Sequence, residues 1–173
     1  MINQAWWFSR KWGYAASIAL IPYLILKTLW ANGFAVLATG QGIEQLHASI
    51  RSNADPFSKT LYAIGIDPTA ILALIASLLA LALVQRWGQK IPRWILLPPA
   101  GLGGLLFITV CFVTLNKLFT GDIRMSDSPE FHPWVLVPVY GGFFAWGVTI
   151  SMAALCYFVR TRNKVPSSGN IAR

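Results

Sequence analysis

The sequence predicts an all-α integral membrane protein: a four-helix bundle with both termini in the cytoplasm and a partly helical extracytoplasmic loop. Three observations carry this. Of 173 residues, 55% are hydrophobic and only 12% are charged, with a mean hydropathy of +0.56. An ordinary soluble domain carries about 25% charge, so this chain cannot cover itself with ionised side chains. Four apolar stretches approach the ~20 residues a helix needs to cross a hydrocarbon core of ~30 Å. Trp and Lys/Arg gather at the ends of those stretches, as interfacial aromatic belts and the positive-inside rule require. The aromatic content of 13% excludes a disordered chain.

The first span is read from about residue 13 to 30, Gly13 to Trp30, behind the basic pair Arg10–Lys11. Pro22 lies inside it and should kink it, since proline removes a backbone donor and clashes with the preceding turn. A signal peptide also begins with basic residues, but its apolar core is usually 7–15 residues long. This run is longer and has no small-x-small cleavage site close behind it, so it is read as a retained helix. The second span covers about 69–86. It opens at Asp67–Pro68, where proline suits the first helical turn. The third covers about 94–115, with Pro98–Pro99 and Gly101, Gly103 and Gly104 in a half expected to be bent or closely packed. The fourth covers about 134–158, with Gly141, Gly142 and Gly147 allowing close helix contact. Residues 1–162 thus form one transmembrane domain. The polar stretch 163–173 is a cytoplasmic tail without a pattern that would order it.

Orientation follows from charge. With the N-terminus inside, the cytoplasmic segments hold nine Lys/Arg and no acids, and the outer segments hold five Lys/Arg and all six acids. The net charge of +8 would suggest nucleic acid in a soluble protein. Here the basic residues flank apolar runs and orient the helices, so no nucleic-acid partner is expected. The expected surroundings are the plasma membrane of a bacterium. The lipid bilayer is the first partner. An apolar small molecule, a membrane-protein partner and a second copy of the chain are the further ones considered.

The first outer loop is the long one, and it has helical texture. Over Gly42–Ser52 the apolar spacing puts Ile43, Leu46, His47 and Ile50 on one face. A helix on the membrane surface or over the bundle mouth fits that pattern. Phe57 to Ile64 is a second such piece.

Both histidines and every acid fall on the outer side, so a polar site is expected there. Lys27 is the most unusual residue, because it sits within a span. An intramembrane charge is a functional candidate by default. It has two readings: snorkelling to the headgroups, or facing the bundle and pairing with an outer acid such as Asp67. Glu44 and His47 share a helical face at the i, i+3 spacing found in metal-binding bundles, yet a metal site needs further ligands. Asp122, Asp127, Glu130 or His132 could supply them from the other outer loop, but a solvated outer surface is the preferred reading of the pair. Asn116 and Lys117 are softer candidates. Cys111 and Cys156 fall at opposite ends of their spans, with no C-x-x-C. No cofactor-binding loop or H-E-x-x-H motif is present, so no cofactor and no metal are assigned.

The string Pro22-Tyr23-Leu-Ile-Leu-Lys27-Thr-Leu-Trp30-Ala31-Asn-Gly33 resembles the end of the first span in uncharacterised small four-helix membrane proteins of Gram-positive bacteria, where P-Y-x-x-x-K-x-x-W-A-x-G recurs. The inner-loop strings Arg86-Trp-Gly88 and Pro92-Arg-Trp94 are similar to theirs as well. Asn32 departs from the small or apolar residue of that pattern. The resemblance implies the four-span plan and a bacterial origin, and draws attention to Lys27, Trp30 and Gly33. It brings no activity. Two functional classes therefore stand. One is a non-catalytic accessory, transport-associated or ligand- or partner-binding membrane protein. The other is a small membrane-embedded enzyme acting on a lipid-like substrate, with Lys27, Glu44, His47 and Asp67 forming a polar site at the outer mouth.

Overall fold

The computed structural model describes residues 9–122 and 131–162. The Trp6–Trp7 pair, the acids Asp127 and Glu130, and the tail 163–173 lie outside the described residues. The chain is all-α. Among the described residues seven α-helices run in order: α1 (Lys11–Ala19), α2 (Ile21–Ala31), α3 (Gly40–Asn53), α4 (Pro56–Ala63), α5 (Pro68–Ala82), α6 (Arg93–Thr120) and α7 (Gly142–Arg162). Short helical turns occupy Trp87–Lys90, Pro133–Val135 and Val137–Gly141. The described residues contain no strand, only an isolated bridge between Ala38 and Phe131.

Among the described residues, three helical units are long and apolar enough to cross a membrane: Lys11–Ala31, Arg93–Thr120 and Pro133–Thr161. α4 and α5 meet that test only when taken together, across a 90° bend. α5 alone has 15 residues, or about 22 Å of helix, short of the ~30 Å core. The sequence places the end of this span at residue 86. The helix instead stops at Ala82, and Gly88 explains why. A Cβ there would strike the Ala82 backbone, with Cα only 2.8 Å away. The chain turns back on itself so tightly that the last turn of the span is lost.

The other boundaries differ in instructive ways. The first span breaks at Leu20, two residues before Pro22, because Pro22 takes the second position of a new helix. Pro98 and Pro99 interrupt nothing; α6 is helical through both, and both are exposed. α6 also runs past Leu115 to Thr120, ending where Gly121 adopts φ +79°, a left-handed conformation glycine takes without penalty. Asn116 and Lys117 therefore sit on its last turn and are exposed. The final span opens with the helical turns over 133–141 before α7 begins.

Packing follows the small residues. α7 lies between α6 and the α1–α2 unit, and that unit packs on α5. Gly104 of α6 faces Gly147 and Ser151 of α7 so closely that no side chain fits, the close approach small residues permit in membranes. Gly101 and Gly141, by contrast, face open space. One core joins all four units through Ala16, Leu20, Leu83, Ala100, Trp146 and Ile150. Rings continue it: Tyr23 stacks on Phe143 at 4.8 Å, Phe143 on Phe107 at 4.7 Å, and Phe107 on Trp146 at 5.1 Å. Large apolar side chains elsewhere point outward, among them Leu72, Leu105, Phe112 and Phe119. An apolar surface of this extent marks contact with lipid.

One end of the bundle carries α3, α4 and the Ala38–Phe131 bridge, and is here called the cap end. The opposite end is tied by Gln85 Nε2 donating to the Tyr14 hydroxyl at 3.0 Å and Arg160 Nη2 donating to the Leu83 carbonyl at 3.0 Å. At the cap end a second, smaller core joins Leu26 and Trp30 of α2 to Ala38 and Ile43, so the apolar face of α3 docks on the end of the first span. Both sequence-expected cap helices form. Each loop helix begins with a side-chain cap: Thr39 Oγ1 accepts the Gly42 N–H at 3.1 Å, and Asp55 Oδ2 accepts the Ser58 N–H at 3.0 Å.

Candidate functional site

Lys27 and Asp67 meet where α2 passes the start of α5. Asp67 caps α5, with Oδ1 accepting both the Thr69 N–H at 2.7 Å and the Thr69 hydroxyl at 2.5 Å. Its other oxygen lies 3.5 Å from Lys27 Nζ, and the two side chains are 4% and 17% exposed. Pro68 follows Asp67 directly and sets the first helical turn, so the sequence Asp-Pro fixes where the carboxylate points. Lys27 lies along the rings of two neighbours on its own helix, 5.9 Å from the Tyr23 centroid and 5.6 Å from that of Trp30. These are the outer edge of cation–π range. The Tyr23 hydroxyl in turn donates to Thr69 Oγ1 at 3.2 Å. Lys27 therefore faces the bundle.

Trp30 links this pair to the cap. Its indole N–H donates to the Val36 carbonyl at 2.8 Å, and its ring packs on Phe131 at 5.2 Å. Its own carbonyl lies 3.0 Å from His47 Nε2. A carbonyl only accepts, so Nε2 carries the proton and Nδ1 is the one remaining site for base chemistry. His47 stands edge-on to Tyr62 at 5.3 Å. The Tyr62 hydroxyl is buried and has no hydrogen-bond partner. Burial, and then the negative charge of Asp67, push its pKa up to about 12, so it is a neutral donor at physiological pH. Contacts run from Asp67 through Lys27, Trp30 and His47 to Tyr62, and the charge of Asp67 felt at Tyr62 closes the circuit.

Glu44 does not join it. Its side chain is exposed and forms no hydrogen bond or ion pair among the described residues. The four-residue constellation expected at the mouth thus reduces to three, because the α3 face that docks on Trp30 is the Ile43–His47 face, and Glu44 points away from it. No three His, Cys, Asp or Glu side chains gather among the described residues, so the Glu44–His47 spacing finds no third ligand there. Cys111 and Cys156 are both buried and are not joined in a disulfide, and the Cys111 thiol donates to the Tyr140 carbonyl at 3.5 Å.

No family model matches the chain, and no curated protein or solved structure matches it either.

Beside the circuit, α3 and α4 enclose an open-mouthed concavity of about 390 Å³, lined by His47, Arg51, Lys59 and Tyr62 with Ala31 and Ile50. Sequence reasoning singled out neither Arg51, Lys59 nor Tyr62. The signal existed: Arg51 follows His47 by four residues and Tyr62 follows Lys59 by three, the spacings that share a helical face. The Asp55–Pro56 break then folds α4 back so that the two faces meet. Asn32, the departure from the resembled pattern, also has a role here. Its Nδ2 donates to the Gly65 carbonyl at 3.1 Å and the Thr28 carbonyl at 2.8 Å, tying the end of α2 to the turn between α4 and α5.

Proposed function

We propose that this is a non-catalytic membrane protein of four spans. α5 with the turn after it serves as the second span, both termini are cytoplasmic, and the α3–α4 cap outside the membrane receives a ligand or partner. The bacterial plasma membrane is the proposed location, supported by the resemblance of its first-span and inner-loop strings. The nine-to-none count of basic and acidic residues on the proposed inner segments supports the orientation.

The closed state of the polar pair carries the functional reading. Asp67 is 3% exposed, and both of its oxygens are engaged. A carboxylate held on both sides and shut off from solvent ties α2 to the start of α5 at the cap end of the bundle. It offers no free oxygen to a substrate, as general acid–base chemistry requires. Lys27 likewise spends its charge on Asp67 and two rings.

The enzyme reading makes a contrary demand that is easy to test. Purified protein is incubated with a total lipid extract of bacterial membranes, and the lipids are compared by mass spectrometry before and after. The expected result is no converted lipid species. A product that appears with time and vanishes in the Lys27→Met variant would overturn the non-catalytic reading.

A further inference from the structure

We infer that the concavity between α3 and α4 binds the phosphate of an anionic headgroup. This deepens the reading above and rests on its placement of the cap outside the membrane. Four observations converge. Arg51 and Lys59 face one cavity from two helices, and neither side chain has an ion pair or hydrogen bond among the described residues. Two uncompensated cations across a cavity repel each other, and an anion between them removes that repulsion. Tyr62 lines the same cavity, is 9% exposed, and has a buried hydroxyl without a partner. An unsatisfied buried donor is costly unless a ligand accepts from it. No acid lines the cavity. Of the acids flanking the lining in sequence, Glu44 is exposed and points away from the docked face of α3, Asp67 is paired with Lys27, and Asp55 is turned to the N-terminus of α4, where Ser58 holds its carboxyl below the usual carboxylate range.

The chemistry of the donors points to phosphate. A guanidinium matches the oxygens of a phosphate in a fork, and an ammonium adds a point charge. The cavity of about 390 Å³ lies in the range of small-molecule sites, ~300–1,000 Å³, with room for more than a bare ion. Ala31 and Ile50 supply apolar wall.

The surroundings favour a lipid as the carrier. Phe57, Ile64 and Ile66 are 71%, 67% and 40% exposed on α4 and the turn after it, and Phe34 is 58% exposed in the loop before α3. Such side chains belong at the boundary between headgroups and acyl chains. A cap seated at that depth holds the cavity level with lipid phosphates. The two cations select a headgroup without a positive charge of its own.

The test uses full-length protein in a neutral detergent, titrated separately with phosphatidylglycerol, with phosphatidylcholine of the same acyl chains, and with inorganic phosphate. Binding is read by native mass spectrometry and by tryptophan fluorescence. We expect saturable retention of phosphatidylglycerol over phosphatidylcholine, weakened about tenfold in Arg51→Gln and again in Lys59→Gln, since each removes a charge-assisted contact. Both side chains are unbonded, so thermal stability should hold in both variants and serves as the control for folding. Saturable binding of inorganic phosphate alone, lost in the same variants, would support the anion site and make the carrier soluble. No binding of either ligand, or binding unchanged in the double variant, would overturn the inference. A converted lipid in the turnover assay would instead sink the non-catalytic reading and leave the anion site standing, so the two failures are distinct.

Discussion

Removing the Lys27 ammonium should be far more damaging alone than together with the Asp67 charge. Lys27→Met keeps the apolar stem and leaves Asp67, 3% exposed, charged with one oxygen unpaired. Breaking a buried pair from one side costs about 3–5 kcal/mol. The loss of two cation–π contacts at the edge of their range adds about 0.5 kcal/mol each at most. Asp67→Asn is milder. The amide oxygen still accepts from Thr69, and Lys27, 17% exposed, can bend its stem toward the headgroups; about 1–2 kcal/mol is the expected loss. The double variant carries no charge at the site and should resemble Asp67→Asn. The coupling in the cycle then equals the cost of breaking the pair from the lysine side, about 3–5 kcal/mol, at or above the upper end of the range for residues in direct contact. Unfolding by titrated SDS in mixed micelles reads all four proteins. Effects that add to within about 0.5 kcal/mol, the behaviour of independent sites, would refute the pairing of Lys27 with Asp67.

Three further outcomes are expected. Tyr62→Phe removes an unsatisfied buried hydroxyl and should leave stability at neutral pH unchanged or raised by up to about 1 kcal/mol. It should also flatten the alkaline limb. The native hydroxyl holds its proton up to about pH 12 and the unfolded one up to about 10, so its contribution is whole below about pH 10 and declines as the pH climbs between the two; an identical limb in wild type and variant would contradict this. Gly88→Ala places a Cβ against the Ala82 backbone, whose carbonyl carbon would be 2.5 Å away, and should cost about 1–3 kcal/mol, read as a lowered melting temperature in detergent. Asn32→Ala cuts the tie to the Gly65 and Thr28 carbonyls and should cost about 1 kcal/mol; an unchanged melting temperature would show that tie to be inert.

Much of the architecture was legible because a membrane constrains sequence strongly. The apolar runs, the tryptophans at their ends and the Asp67–Pro68 helix start could be read directly. So could the apolar face of α3, since Ile43, Leu46, His47 and Ile50 keep helical spacing. Boundaries set by tertiary contact could not. The early end of α5 depends on Gly88 meeting Ala82, and neither residue signals that alone. The half with Pro98–Pro99 read as bent or closely packed; α6 stays helical through both prolines, and the close packing is at Gly104 against Gly147 and Ser151. At the site, Lys27 was conspicuous because charge is rare inside a span. Which of its two readings holds depends on the rotation of α2, which a sequence with apolar residues on every side does not fix. Arg51 and Lys59 look like ordinary surface cations until the Asp55–Pro56 break brings α3 and α4 face to face.

Cysteine labelling in intact cells tests the central claim most directly. In a background with Cys111 and Cys156 replaced by alanine, Ser49→Cys on the exposed side of α3 and Gln89→Cys in the turn after α5, both at exposed positions, are treated with a membrane-impermeant maleimide. A cap outside and a turn inside require Ser49→Cys to label in intact cells and Gln89→Cys only after permeabilisation. Labelling of Gln89→Cys in intact cells, with Ser49→Cys protected, would place the cap in the cytoplasm and contradict both the orientation and the role assigned to the cap.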